Sequence, residues 1–263
     1  MKKALFAFVI FAMLHGDTFA ATKYWDINGA TAGAGGATPS GTWDTGTTAN
    51  WSTDSAGAIA TTTWAASDAA VFSAGGDATG TFTVTPSAAP VAASILIEEG
   101  FVIIGGASSV NVGAGTVTLN AGTTLSTSSS ARIAMIAGSS YNVTNATLQT
   151  TNPGAAGSFV DSDATIAVTG TLTIDYTVAN VLNIIQTNSV ISGAGANLKK
   201  TGVGVIAIVS ASTYGGGTEI AGGELRIRTS ANRLPVGTAV NMTGGILNLN
   251  GLNQQIASLT GTK

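Results

Sequence analysis

The sequence predicts an all-β chain wound as a parallel β-helix, a β-solenoid with an aromatic-rich N-terminal cap. Three observations carry that expectation. Short apolar runs alternate at period two and are bounded by Gly, Asn and Ser. No segment places its apolar residues at the 3.6-residue period of a helix. A strand–Gly–strand unit recurs, with Gly222-Gly223 and Gly244-Gly245 spaced 22 residues apart, within the range of one solenoid coil.

In chain order, residues 1–20 read as an export signal. Lys2 and Lys3 form a basic start, residues 4–14 are apolar, and Thr18-Phe19-Ala20 supplies small residues for cleavage after Ala20. The apolar run is too short for a spanning helix, which needs about 20 residues. No transmembrane segment is expected in the mature chain. Cleavage would remove Lys2, Lys3, Asp17 and His15. From totals of 10 Lys+Arg and 13 Asp+Glu this leaves 8 against 12, with no His and no Cys. That inventory excludes Ser-His-Asp and Cys-His catalysis, His/Cys zinc sites and disulfides. Neither a cofactor nor a metal is expected. The full chain carries a net charge of -3, the wrong sign for a phosphate-binding surface, so nucleic acid is not an expected partner. With 44% hydrophobic and only 9% charged residues, disorder is excluded as well.

Residues 21–90 hold all four tryptophans, Trp25, Trp43, Trp51 and Trp64. Large aromatics there can plug the open end of a first coil, where a bare strand edge invites aggregation. The alternative is a row of indole faces stacking on sugar rings. Gly33-Ala34-Gly35-Gly36 lacks the Lys-Ser/Thr of a phosphate loop.

Residues 91–263 are expected to be β-helix repeats. Ser94-Ile95-Leu96-Ile97, Phe101-Val102-Ile103-Ile104 and Val110-Asn111-Val112 open the series. Residues 164–174, 218–227 and 239–251 each read as strand, glycine, strand. Stacked coils would place Leu225 and Ile227 over Leu247 and Leu249, with Arg226 and Asn248 outward. An antiparallel sandwich also uses short alternating strands, but hairpin signals are scarce here.

The stretch Leu198-Lys199-Lys200-Thr201-Gly202-Val203-Gly204-Val205-Ile206, followed by Tyr214-Gly215-Gly216-Gly217-Thr218-Glu219-Ile220-Ala221-Gly222-Gly223-Glu224-Leu225, resembles the autotransporter-associated β-strand repeat. The family pattern is roughly L-x-K-x-G-x-G-x-L-x-L, then Y-x-G-G-T-x-I-x-x-G-x-L. This chain has Val205-Ile206 where Thr-Leu is usual and an extra Gly after Tyr214. The Trp-rich order WDINGA, GTWD, NWS supports the likeness. The resemblance implies a right-handed parallel β-helix passenger, exported and displayed on the cell surface or released. It implies a role in passenger folding and outer-membrane transport and no catalytic residue. Expected partners are the outer-membrane translocation machinery and extracellular glycans or a host or neighbouring cell surface. The given sequence does not include the alternating strands of the family's C-terminal barrel, and it is expected to be part of a longer protein or to be anchored elsewhere.

Parallel β-helices also host polysaccharide lyases and glycoside hydrolases, which need clustered carboxylates. Asp161, Asp163 and Asp175, with Arg132 or Lys199 as base, are the residues such an enzyme would use. The plainer reading of Asp161-Ser162-Asp163 is a turn whose carboxylates bond their own backbone. Lys199-Lys200 reads as outward loop charge.

Overall fold

The computed structural model describes residues 20–152, 164–179, 182–185 and 189–261, with the backbone alone at 182–185. The described residues contain strands and turns and no helix. They form a parallel β-solenoid.

The chain starts with β1 (Thr22–Trp25), β2 (Gly41–Trp43) and the two-residue β3 (Trp51–Ser52). β4 (Asp68–Phe72) and β5 (Thr81–Pro86) follow, then β6 (Ala92–Ile97), β7 (Phe101–Ile104) and β8 (Val110–Gly113). The next winding is β9 (Thr116–Leu119), β10 (Thr124–Thr127) and β11 (Ile133–Met135). Two long bent strands come after it, β12 (Ser140–Thr150) and β13 (Thr165–Tyr176). The C-terminal part holds β14 (Leu182–Ile185), β15 (Val190–Ser192), β16 (Asn197–Thr201), β17 (Val205–Ile208), β18 (Thr218–Ile220), β19 (Glu224–Ile227), β20 (Ala239–Met242), β21 (Ile246–Asn248) and β22 (Ser258–Gly261).

These strands stack in columns, each strand on its counterpart one winding away. The first side runs β1, β4, β6, β9, the start of β12, the start of β13, then β15. The second runs β2, β5, β7, β10, the ends of β12 and β13, then β16, β18, β20 and β22. A third side holds the pair β8–β11 and the ladder β14–β17–β19–β21. From β4 onward, paired residues lie one coil length apart. Val240 pairs with Leu259, 19 residues on, and Thr171 with Asn197, 26 residues on. The period read in the sequence is therefore the ladder register itself. Parallel pairing excludes the antiparallel sandwich, and the ladder crosses residue 90 without a break.

The corner between the first and second sides shows how local sequence bends the strand. β12 and β13 both turn in mid-strand, at Asn145 (φ 43°) and Gly170 (φ 76°), where the register slips by one. Gly170 can carry no side chain, because a Cβ would lie 2.1 Å from Asn145 Oδ1. That same oxygen accepts the Thr171 N–H at 2.9 Å.

Side chains alternate in and out of the tube. On the second side the inward column is Phe82, Val102, Leu125, Leu148, Ile174, Lys200, Ile220 and Met242. The stacking expected between Leu225 and Leu247 is present. Leu249, expected to be inward with Ile227, is instead 38% exposed in the outermost part of the described stack.

The N-terminal end departs from parallel stacking. β3 lies antiparallel on the outer edge of β1, with Tyr24 opposite Ser52 and Trp25 opposite Trp51. Trp51 is also bridged antiparallel to Thr62. The first strand's free edge is thereby covered, which removes a template for edge-to-edge pairing.

Candidate functional site

The residues of the repeat motif come together at the coil corners, and each has a mechanical part. Leu198, Ile220 and Leu225 are buried inward residues of the stack. Tyr214 is buried too, its hydroxyl 2.6 Å from Thr218 Oγ1. Thr218 stands in an apolar column between Leu198 and Val240, and this bond satisfies its hydroxyl. Burial pushes the Tyr214 phenol far above its ordinary range, so it stays protonated. Gly217 donates its N–H to Asn197 Oδ1 at 2.8 Å, and Gly216 donates to the Ala196 carbonyl at 2.8 Å.

The spaced glycines answer to close contact. A Cβ on Gly204 would lie 2.5 Å from the Tyr176 ring and 2.5 Å from the Val178 carbonyl oxygen. Gly202 is equally tight against the Tyr176 carbonyl, at 2.3 Å. Gly223 has φ 60°, and its Cβ would lie 2.3 Å from the Gly204 carbonyl oxygen. Corner backbones of successive coils thus touch, and only glycine lets them do so.

Lys199 and Lys200 part company, which corrects the reading of both as outward loop charge. Lys199 points outward and pairs with Glu219 at 3.1 Å, both about one-third exposed. Lys200 points inward and is 1% exposed. Period-two alternation after inward Leu198 requires this. Its Nζ donates to the carbonyls of Thr201, Gly202 (3.1 Å) and Gly222 (3.2 Å), so one ammonium ties two successive corners. Burial lowers its pKa to about 8, opposed by the nearby Asp175 carboxylate.

Outside the tube, Lys199, Glu219, Asn197, Asn241 and Thr171 line an open depression on the second side, together with Gly217 and Ala239. A polar ladder runs beside it. Ser126 donates to Gln149 at 3.0 Å, Gln149 to Asp175 at 2.7 Å, and Thr201 to Asp175 at 3.1 Å. Asp175 is therefore occupied by neighbours in its own column. Asp161 and Asp163, the other members of the carboxylate set, lie outside the described residues.

The four tryptophans form one cluster inside the tube. Trp25, Trp43, Trp51 and Trp64 are each at most 1% exposed. Their rings meet mainly edge-on at 4.5 to 5.1 Å, and Phe72 joins them. Trp25 Nε1 donates to the Pro39 carbonyl and Trp64 Nε1 to that of Val91. With every ring face covered by protein, none of the four can stack on a sugar. The glycan-stacking alternative is corrected on that ground.

Among the described residues no three Asp, Glu, His or Cys side chains gather as a metal-binding set, and no helix is long and apolar enough to cross a membrane. No family model matches the chain, and no curated protein or solved structure is similar to it.

Proposed function

We propose that this chain is the exported, non-catalytic β-helical passenger or stalk region of an autotransporter-type surface or secreted protein. The observation that carries the reading is the use made of the repeat motif. From Leu198 to Leu225 its residues pack, cap or turn successive coils. A motif spent on coil-to-coil contact suits a protein whose task is to form a rod and promote its own folding after transport. Adhesion to a glycan or a cell surface, in this reading, runs through the outward polar side that carries Lys199, Glu219 and Asn241, since the aromatic rings are internal.

The test is expression of the full chain, fused ahead of an outer-membrane β-barrel translocator, in a Gram-negative host. The expected result is a mature N-terminus at Ala21 and a passenger removed from intact cells by added protease. An uncleaved precursor in the cytoplasm would reject export. A processed, folded chain that stays protease-protected would reject the passenger role.

A further inference from the structure

A carboxylate holds the start of the first strand. The Ala21 main-chain nitrogen donates to Asp68 Oδ1 at 3.0 Å. Asp68 opens β4 and is only 6% exposed. Its other oxygen accepts the Ala65 N–H at 3.3 Å. The Ala21 carbonyl in turn accepts the Ala69 N–H at 2.8 Å, which fixes residue 21 against β4. The buried carboxylate is thus met by neutral amide donors, and no ion pair among the described residues includes it.

Residue 21 is also where the expected export-signal cleavage falls. Ala20 is exposed and Ala21 half-buried, so the bond between them lies at the rim between solvent and Asp68. Hydrolysis adds water across that bond. It leaves a carboxylate on Ala20 and, at neutral pH, an ammonium on Ala21. The nitrogen that carried one proton then carries three and a positive charge. The titratable groups on the strands packed together here are Lys23 and Tyr24 of β1 and Asp68 of β4, while β3 and β6 have none. Lys23 Nζ donates to Thr62 Oγ1 at 2.6 Å.

A buried carboxylate without a cation is costly, and a hydrogen bond between two charged partners is stronger than a neutral one. We propose that removal of residues 1–20 locks the amino end of the solenoid: the new Ala21 α-ammonium forms an ion pair with Asp68 that the precursor cannot make. Asp68 is desolvated in both forms, so the attraction is gained on top of a cost already incurred. At a half-buried position the ammonium keeps part of its hydration. β1 carries Trp25 and the β3 clasp, so anchoring its first residue steadies the whole cap. Before cleavage the first winding lacks this anchor, which suits a chain that must cross a membrane before it folds firmly. The cleavage point rests on the export reading above.

The test supplies the cleavage itself and does not depend on export. The full chain is compared with chains released from a fusion partner so that they begin at Ala21 or at Ala20. The Ala20 start restores an amide at residue 21 and differs by one residue. Below the free α-amine pKa of about 7.7–8.0, the Ala21 start should melt about 2–4 °C above the Ala20 start, with the full chain matching the latter. Amide exchange in β1 should slow in step. Asp68 retains the amine's proton in the folded state, which raises its pKa above the free value. The advantage should therefore be complete below about pH 7.7 and disappear as the pH rises through the raised value. Asp68→Asn keeps an acceptor, removes the charge and should erase the difference between the two starts. If that variant fails to fold, the pH dependence of the wild-type difference decides alone. Equal melting of the two starts overturns the inference, as does a difference that persists in Asp68→Asn or into strongly alkaline solution. Failure of export shows separately, as an uncleaved precursor in cells.

Discussion

Lys200 is the residue on which the second side of the tube turns most sharply from expectation. An ammonium in an aliphatic column is tolerable because three corner carbonyls receive it. Its folded pKa of about 8 lies below the unfolded value near 10.5. Between those values the folded state holds fewer protons, so this residue makes stability rise as the pH climbs through that window. Lys200→Met fits the column but leaves the carbonyls of Thr201, Gly202 and Gly222 without their donor. It should cost about 1–3 kcal/mol at pH 7 and erase the rise between about pH 8 and 10.5. Denaturant midpoints at the two pH values check both effects. The inward direction of Lys200 was legible from the alternation beginning at Leu198. The charge argued the other way, because buried lysine is rare unless paired. The carbonyl cage was not legible, since Gly202 and Gly222 belong to different coils and meet only once the tube is wound.

At the scale of the element, strand–glycine–strand units were readable because the ladder repeats the sequence period. Gly170 and Gly223 mark corners in the sequence and occupy corners in the tube. β3 was hidden. It is two residues long, and its pairing with β1 depends on Trp51 meeting Trp25 across the edge. The tryptophans themselves announced an unusual first third, but composition could not distinguish rings turned to solvent from rings turned to one another. Their burial makes the cap an energetic element. Trp43 touches Trp51, Trp64 and Phe72, so Trp43→Ala should destabilise the protein by about 3–5 kcal/mol. Chemical denaturation followed by tryptophan fluorescence measures it. Retention of any soluble glycan should be unchanged in the folded variant, since no ring face is available to lose.

For the whole molecule, the ladder makes each winding dependent on its immediate neighbours. Stability in such a stack is close to a sum of coil and interface contributions. A lesion should therefore stay local. Leu225 is buried between Ile206 and Leu247. Leu225→Ala should cost about 2–5 kcal/mol, and amide hydrogen exchange should accelerate in β17, β19 and β21. The Trp cluster, many windings away, should keep its protection. Equal acceleration over the entire chain would show a single cooperative unit in place of a stack.

The antiparallel clasp of β3 over β1 makes the two directions along the stack unequal. A pile of parallel rungs has two growing fronts, and this one is bolted shut on the amino side. Gene duplications that add rungs can then accumulate only away from the bolt, each new rung copying the register of the one before it. Lengthening becomes a one-way process, and a rod can be tuned for reach without rebuilding its base.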